Sequence, residues 1–165
     1  HDIPNTVALA VESAAQLGIQ MLTIHLSGGE AMIRAAVSAK PRDLLLLGVT
    51  VLTSVDEQTI RQIGVPDKIE NHVSRLAKLG FKNGIDGIVA SSHEIGRLRR
   101  DFGDKIKIVV PGIRSAGSES GDQKRVMTPR EAIQAGADYL VIGRPITAHS
   151  RPGEAVTKIL QELGT

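Results

Sequence analysis

Five short apolar segments recur along this sequence, and each is followed by a stretch with helical periodicity. The segments span residues 21–26, 44–52, 84–91, 106–113 and 139–146. Between them, apolar residues recur at three- and four-residue spacing, as in Val7, Val11 and Ala14. Strands that are apolar on both faces and alternate with amphipathic helices predict a parallel sheet covered by helices.

The joints between the segments carry helix-start signals. A hydroxyl residue followed by glutamate three positions later forms a capping box, which marks the first turn of a helix. Four such pairs occur in phase with the segments: Ser27 and Glu30, Ser54 and Glu57, Ser91 and Glu94, and Thr128 and Glu131. Pro129 strengthens the last of them. Gly18, Gly80 and Gly136 predict the positions where helices end.

Two α/β architectures fit this pattern, an open doubly wound sheet and a (β/α)8 TIM barrel. A complete barrel has about 250 residues and at least about 200, whereas this chain has 165. No strand end carries the G-x-G-x-x-G loop that is typical of dinucleotide-binding doubly wound folds. We therefore favour a single domain, residues 1–165, that forms a barrel fragment with about five of the eight strands, and we expect about three strands before His1.

Composition excludes several functional classes. The net charge is +2 and aromatic residues make up 2%, so the basic surface with stacking aromatics that binds nucleic acid is not expected. The absence of cysteine excludes disulfides and thiolate ligands. No apolar run approaches the roughly 20 residues that span a bilayer, and no histidine and carboxylate spacing resembles a metal site. We expect a cytoplasmic protein with no metal and no membrane partner.

In either architecture, the chemistry belongs at the carboxyl ends of the strands. The last segment ends in Gly143 and Arg144, where glycine permits close approach and a guanidinium matches phosphate oxygens. The other interpretation of Arg144 is a rim residue without a ligand. For His25, a structural role is favoured over an acid or base. Asp86 and Asp138 precede strands at the opposite end, where a role in stability is expected.

Residues 114–127 form a long polar loop in a chain whose other strand-to-helix joints are short. Arg114 stands at its start, and Gln123, Lys124 and Arg125 stand near its end. Long loops without secondary structure in compact domains are usually functional or disordered. The composition of this loop predicts a lid that folds over a bound anion.

Six segments together resemble one enzyme family, the bacterial type of orotidine 5′-monophosphate decarboxylase. They are HDIPNT, TIHLSGGEAM, VTVLTS, DGIVAS, VVPGIRSAGSESGDQKRVMTP and ADYLVIGRPIT, in the order of the family and over essentially the whole chain. The resemblance implies conversion of orotidine 5′-monophosphate to uridine 5′-monophosphate and carbon dioxide in de novo pyrimidine biosynthesis, without a cofactor.

The resemblance also implies roles for individual residues. Arg144 and Gly143 are similar to the phosphate-binding pair after the last strand, and Arg114 to the arginine at the base of the lid. Gln123 resembles the lid glutamine that bridges pyrimidine and phosphate. Two further positions would contact the base: Pro111, which would pack against it, and Thr53, which would bind it by a hydrogen bond.

Asp2 matches the final aspartate of the family's D-x-K-x-x-D motif, which is catalytic. In the family, this aspartate crosses a homodimer interface into the active site of the partner, and Ile3 and Thr6 match residues that cross with it. The alternative from the sequence alone is that Asp2 caps the helix that begins at Pro4. The lysine of the motif would lie three residues before Asp2, outside residues 1–165, so we expect this chain alone to be inactive.

Two other functions fit the sequence. One is a related Mg²⁺-dependent phosphosugar decarboxylase or aldolase, although its metal needs an additional acidic strand end. The strand ends here offer serine, threonine and proline instead. The other is a non-catalytic phosphate- or nucleotide-binding half-barrel.

Overall fold

The computed structural model describes residues 1–114 and 127–164. Five strands lie in this part of the chain: β1 Met21–His25, β2 Leu45–Val49, β3 Gly87–Val89, β4 Lys107–Val110 and β5 Tyr139–Leu140. Its α-helices are α1 Pro4–Ala15, α2 Gly29–Ala39, α3 Glu57–Gln62, α4 Ile69–Lys82, α5 Ile95–Phe102, α6 Pro129–Ala135, α7 Arg144–Thr147 and α8 Pro152–Leu163. Single 3-10 turns cover Leu26–Gly28, Ser92–Glu94 and Gly103–Lys105.

The five strands form one parallel sheet in which the spatial order equals the chain order. A TIM barrel has this order, whereas a doubly wound sheet reverses direction at a switch point. The prediction of a partial barrel is therefore confirmed, together with all five strands. The last strand is shorter than residues 139–146, because the chain leaves the sheet after Leu140 and Arg144 begins α7.

Helix starts follow the predicted pattern in part. The capping box of Thr128 and Glu131 forms completely at the start of α6. In α3 the cap is Asp56, whose carboxylate accepts the Thr59 N–H at 2.9 Å, and not Ser54. After β1 and β3, the chain first makes a 3-10 turn before the α-helix begins.

Gly136 ends α6 in the left-handed conformation, as predicted. Gly80 does not end a helix, because α4 continues to Lys82. A Cβ at Gly80 would lie 2.3 Å from Ile85 Cδ1, and one at Gly48 on β2 would lie 2.6 Å from the same atom. Both glycines therefore allow α4 to pack closely on the sheet.

The core between the sheet and its helices is aliphatic. Its fully buried side chains include Leu26, Leu46, Ile88, Ile95 and Ile108. The aromatic pair Phe81 and Phe102 lies beside it, with ring centroids 5.1 Å apart. Because the chain has few aromatic residues, branched aliphatic side chains fill most of the core. Such residues are favoured in buried parallel strands.

Two aspartates tie neighbouring strands together at the amino ends of the sheet. Asp86, just before β3, accepts the Leu46 N–H at 2.7 Å and pairs with Lys40 at 3.2 Å. Asp138, just before β5, accepts the Ile108 N–H at 2.8 Å and pairs with Arg99 and with Lys107. These contacts agree with the stability role expected for both residues.

The Asp138 network makes stability depend on pH. Burial raises the pKa of this carboxyl, but hydrogen bonds from Ile108 N–H, Arg99 and Lys107 outweigh burial and hold the pKa below its usual value of 3.8. A carboxyl with a lowered pKa in the folded state stabilises the fold above the unfolded-state pKa, and this stabilisation is lost as pH falls through the folded-state pKa.

We therefore expect the free energy of unfolding to fall below about pH 4, as measured by urea denaturation between pH 7 and pH 2.5. Asp138→Asn should reduce this dependence. Comparison with this variant is needed because two other carboxyls also have lowered pKa values and would contribute to the same pH dependence. They are Asp67, which accepts a hydrogen bond from Asn71, and Glu131, which accepts one from Thr128. Identical pH profiles for the two proteins would contradict the assignment.

Candidate functional site

The carboxyl ends of all five strands lie along one edge of the sheet, because the strands are parallel. This edge carries the residues that follow each strand: the turn after His25, the loop from Thr50, the turn at Ser91, the segment from Pro111 and the segment that reaches Gly143. The candidate site residues of the described part of the chain are all attached to this edge or to the start of α1.

The start of the chain lies beside the end of β1. Ser27 Oγ in the β1–α2 turn is 3.1 Å from His1 Nδ1. The exposed carboxylate of Asp2 accepts the Ile3 N–H at 2.6 Å. The helix begins at Pro4 as predicted, but its cap position is Ile3 and lacks a side-chain cap. Asp2 thus binds a backbone N–H that precedes the helix and does not fill the usual capping role.

A cavity of about 350 Å³ joins Asp2 to β1. The other lining residues are apolar side chains of α1 and β1, and the polar lining comes from His1, Asp2, Thr6, Thr23 and His25. The structure therefore brings the predicted residues Asp2 and Thr6 to the same cavity. Ile3, in contrast, is 65% exposed at the outer surface.

The loop after β2 carries Thr53, which is buried. At its start, the buried Thr50 hydroxyl donates to the Val89 carbonyl at 3.0 Å and ties the ends of β2 and β3 together. A cavity of about 160 Å³ lies under this loop, and its lining includes His25, Thr50 and His72.

His72 on α4 lines that cavity. Burial of the ring lowers its pKa, and the nearby Arg75 guanidinium lowers the pKa further. The helical period of α4 could have indicated this position, because His72 directly precedes the buried Val73 and lies one turn before Leu76.

A buried carboxylate lies after β3. Ser91 and Glu94 are both almost completely buried, and the Ser91 hydroxyl donates to a carboxylate oxygen of Glu94. The capping-box pattern found this pair, but it did not indicate the burial of Glu94. The neighbouring Ser92 Oγ is also buried and lacks a hydrogen-bond partner among the described residues.

Arg114 lies at the base of the long loop after β4. Ile113 and Met127 form an isolated parallel bridge, and the Arg114 N–H donates to the Met127 carbonyl at 3.1 Å. The Arg114 side chain turns back to donate to the Ile113 carbonyl at 2.8 Å. The two ends of the loop are thus held together. Gln123 and most of the predicted lid, residues 114–127, lie outside the described residues.

Gly143 and Arg144 follow β5 and are exposed. A Cβ at Gly143 would meet no atom within 4 Å, so a ligand could approach the backbone there. Because β4 and β5 pair directly, this position and the segment from Pro111 to Arg114 follow neighbouring strands. The structure therefore groups Pro111, Arg114, Gly143 and Arg144 at one end of the edge, and Asp2 and Thr6 at the other.

Within residues 1–114 and 127–164, no group of three or more His, Asp or Glu side chains is arranged to hold a metal ion. In the same ranges, no helix has the length and apolar character needed to cross a membrane.

Comparison with known proteins gives a consistent result. The family described as Orotidine 5′-phosphate decarboxylase / HUMPS matches residues 1–159. An orotidine 5′-phosphate decarboxylase of Shewanella sediminis is 52% identical over 167 aligned residues, which cover 99% of this chain and 71% of the relative. One from Idiomarina loihiensis is 49% identical and covers 99% of this chain and 72% of the relative.

Solved structures agree with the sequence matches. Orotidine 5′-phosphate decarboxylase from Lactobacillus acidophilus superposes with a TM-score of 0.86 at 35% identity, covering 100% of this chain and 72% of that one. An uncharacterized conserved protein from Geobacillus kaustophilus gives a TM-score of 0.81 at 29% identity, with 99% and 72% coverage.

Proposed function

The chain belongs to the orotidine 5′-phosphate decarboxylase / HUMPS family, and we propose from this that it converts orotidine 5′-monophosphate to uridine 5′-monophosphate and carbon dioxide. This assignment makes it a cofactor-independent carboxy-lyase of de novo pyrimidine biosynthesis, which acts in the cytoplasm. The observation that supports it most is the grouping of Arg114, Gly143 and Arg144 after the neighbouring strands β4 and β5.

The phosphate of the nucleotide would bind beside the carboxyl ends of β4 and β5. A guanidinium presents a planar set of donors to phosphate oxygens, and the open space at Gly143 admits the ligand to the backbone. Arg114 is anchored at the closed base of the 114–127 loop through the Ile113 and Met127 bridge. We assign Gln123 in that loop to the contact between pyrimidine and phosphate. Thr53 and Pro111 would contact the pyrimidine ring.

Binding of the phosphate, remote from the reacting carbon, can accelerate the reaction. Energy from these contacts can hold the loop closed over the substrate and improve the geometry at the pyrimidine. The uridine 5′-monophosphate product would keep the same contacts and leave when the loop opens.

Asp2 is the catalytic residue that this chain contributes. Loss of carbon dioxide leaves a carbanion at C6 of the pyrimidine, which preorganised charges must stabilise until a proton arrives. In the proposed site, a lysine ammonium stabilises the charge and delivers the proton, while carboxylates such as Asp2 hold the lysine in place. The motif lysine is not among residues 1–165, so we propose that activity requires the segment of the relatives that this chain does not match.

We propose that the active protein is a homodimer with shared sites. Asp2, Ile3 and Thr6 would reach across the interface into the partner's site. The 65% exposure of the apolar Ile3, next to the exposed Asp2 carboxylate, supports this assignment because an apolar side chain there is suited to burial against a second copy.

Complementation tests the function. Decarboxylation of orotidine 5′-monophosphate is measured with the 165-residue chain alone, and again with the chain fused to the amino-terminal segment of the Shewanella sediminis relative that carries the lysine. We expect no turnover by the chain alone and clear turnover by the fusion, unaffected by EDTA. Asp2→Asn in the fusion should lower kcat by at least about a hundredfold, which corresponds to about 2.7 kcal/mol.

The other outcomes separate the alternatives. Turnover by the chain alone would contradict the need for the additional segment. Binding of uridine 5′-monophosphate by a folded fusion without turnover would favour a non-catalytic nucleotide-binding half-barrel. A requirement for Mg²⁺ would favour a phosphosugar decarboxylase or aldolase.

A further inference from the structure

The loop between β2 and α3, which we call the β2–α3 loop (residues 50–56), is held by hydrogen bonds at both of its ends. At its start, the N–H and the hydroxyl of Thr50 both donate to the Val89 carbonyl at the end of β3, at 3.2 and 3.0 Å. At its end, the Asp56 carboxylate caps α3 and accepts the N–H and the hydroxyl of Thr59, at 2.9 and 2.8 Å.

Thr53 lies on a tight turn in the middle of this loop. The Val55 N–H donates to the Leu52 carbonyl at 3.0 Å, so Thr53 and Ser54 are the two central residues of a β-turn. Thr53 is buried, whereas Leu52 and Ser54 on either side of it are exposed. The turn sets how Thr53 is presented, and the two ends of the loop set where the turn lies.

The inner side of the β2–α3 loop borders the cavity of about 160 Å³ described above. Thr50, Val51, Leu52 and Val55 line it from the loop, and Ile60 of α3 and His72 of α4 are among the residues that line it from the other side. Atoms at a cavity wall lack close neighbours on one side, so packing resists their displacement less than in a filled core. The position of the turn therefore depends strongly on the hydrogen bonds at the ends of the loop.

The hydroxyl of Thr50 controls the direction in which the chain leaves the sheet. β2 ends at Val49, so Thr50 is the first residue of the loop, and Val89 is the last residue of the neighbouring strand β3. A backbone carbonyl has two lone pairs and can accept both Thr50 donors. Because threonine is β-branched and stiff at χ1, a fixed hydroxyl also restricts the backbone at Thr50.

We propose that Thr50 is a positioning residue for recognition of the pyrimidine, whose buried hydroxyl, bonded to the Val89 carbonyl, sets the place of Thr53 in the site. Thr50 acts through Thr53 and does not touch the nucleotide. The proposal rests on the proposed function, which assigns Thr53 to the pyrimidine, and adds the residue on which the accuracy of that contact depends. A misplacement of about 1 Å in a substrate contact can lower a rate by up to about a hundredfold.

The competing interpretation is that Thr50 only joins β2 to β3. Loss of its hydroxyl would then lower stability and leave recognition of the nucleotide unchanged. The two interpretations differ in how changes at Thr50 and Thr53 combine. Residues that act through one contact have non-additive effects, whereas independent residues have additive effects.

Steady-state kinetics on the fusion tests the proposal. Thr50→Val has nearly the same shape and keeps the N–H bond to Val89, and we expect it to lower kcat/KM for orotidine 5′-monophosphate about tenfold. Most of the change should appear in KM, because a hydrogen bond to the pyrimidine is made in the substrate complex as well as in the transition state. Thr50→Ser should recover to within about threefold of the parent, since serine keeps the donor but not the stiff side chain.

The double variant and a control complete the kinetic test. In a fusion that already carries Thr53→Val, adding Thr50→Val should change kcat/KM less than about twofold. Thr157→Val is the matched control, because the Thr157 hydroxyl on α8 also donates to a backbone carbonyl, that of Gly153, at 3.0 Å. This control should change kcat/KM less than about twofold.

Hydrogen exchange on the folded fusion examines the loop without substrate. The Val55 amide, which is bonded to the Leu52 carbonyl, should exchange at least about fivefold faster in Thr50→Val than in the parent, while the amides of β2 change little. An inactive parent fusion that shows this change would reject the decarboxylase assignment and support the positioning role. Additive effects of Thr50→Val and Thr53→Val, a Thr50→Ser variant no better than Thr50→Val, or unchanged exchange at Val55 would overturn the proposal.

Discussion

Arg144→Ala is expected to lower kcat/KM for orotidine 5′-monophosphate by at least about a hundredfold, or about 2.7 kcal/mol. The physical reason is that a guanidinium bound to phosphate makes charge-assisted hydrogen bonds, which alanine cannot replace. In the proposed site, phosphate contacts also hold the loop closed, so part of the loss should appear in kcat. The measurement is steady-state kinetics on the fusion that carries the lysine motif.

Arg151→Ala is the control for this prediction. Arg151 follows α7, pairs with Glu154 at 2.7 Å and has a side chain that is 73% exposed, so its removal should change kcat/KM less than twofold. Arg144→Lys should give an intermediate value, since an ammonium keeps the charge but not the paired donors. If Arg144→Ala and Arg151→Ala have the same kinetics, Arg144 is a rim residue and the phosphate assignment is wrong.

Asp138→Ala is expected to lower the free energy of unfolding by about 2 to 4 kcal/mol. This is somewhat less than the roughly 3 to 5 kcal/mol for removing one partner of a fully buried ion pair, because the side chains of Arg99 and Asp138 are 18% and 23% exposed. The change removes the acceptor for the Ile108 N–H and the counter-ion of Arg99, whose side chain is 18% exposed. Arg99 would keep its bonds to the carbonyls of Gly136 and Ile106, but its charge would be uncompensated. For a domain of this size, the Tm should fall by roughly 5 to 15 °C.

Urea denaturation and calorimetry at pH 7 measure this loss. Asp104→Ala is a suitable control, because Asp104 lies in the neighbouring Gly103–Lys105 turn and is exposed. A loss below about 0.5 kcal/mol for Asp138→Ala, equal to that of the control, would show that the network contributes little. Because Asp138 is at the amino ends of the strands, kcat of the fusion should not change at temperatures where the variant is folded.

The strands and their order could be predicted well, because buried parallel strands are apolar on both faces and have a distinct signal. Boundaries were harder. β5 ends at Leu140, although the predicted segment continues to Ile146, because the chain leaves the sheet and begins α7 at Arg144, with Pro145 in its first turn. Gly80 was wrong as a helix end, because its small size makes room for the side chains of Ile85 and Leu26, and Leu26 lies far from it in the sequence.

The sequence could indicate which residues of the candidate site follow the strands, but it could not indicate their environment. The positions of Arg114, Gly143 and Arg144 after adjacent strands follow from strand order. The burial of Glu94 with Ser91, and the position of His72 beside a cavity, do not, because each depends on which elements pack over that residue. The role of Gln123 stays a prediction.

By itself, the sequence determined the alternation of strands and helices, the capping box at Thr128, and the family to which the chain belongs. Each of these depends on local periodicity or on a contiguous motif, which can be recognised without the tertiary structure. Only the tertiary structure decided which groups meet. Asp138 bonds to β4, Thr50 bonds to β3, and His1 lies against Ser27 across 26 residues. Such contacts depend on the packing of segments that are far apart in the chain, and no local pattern encodes them.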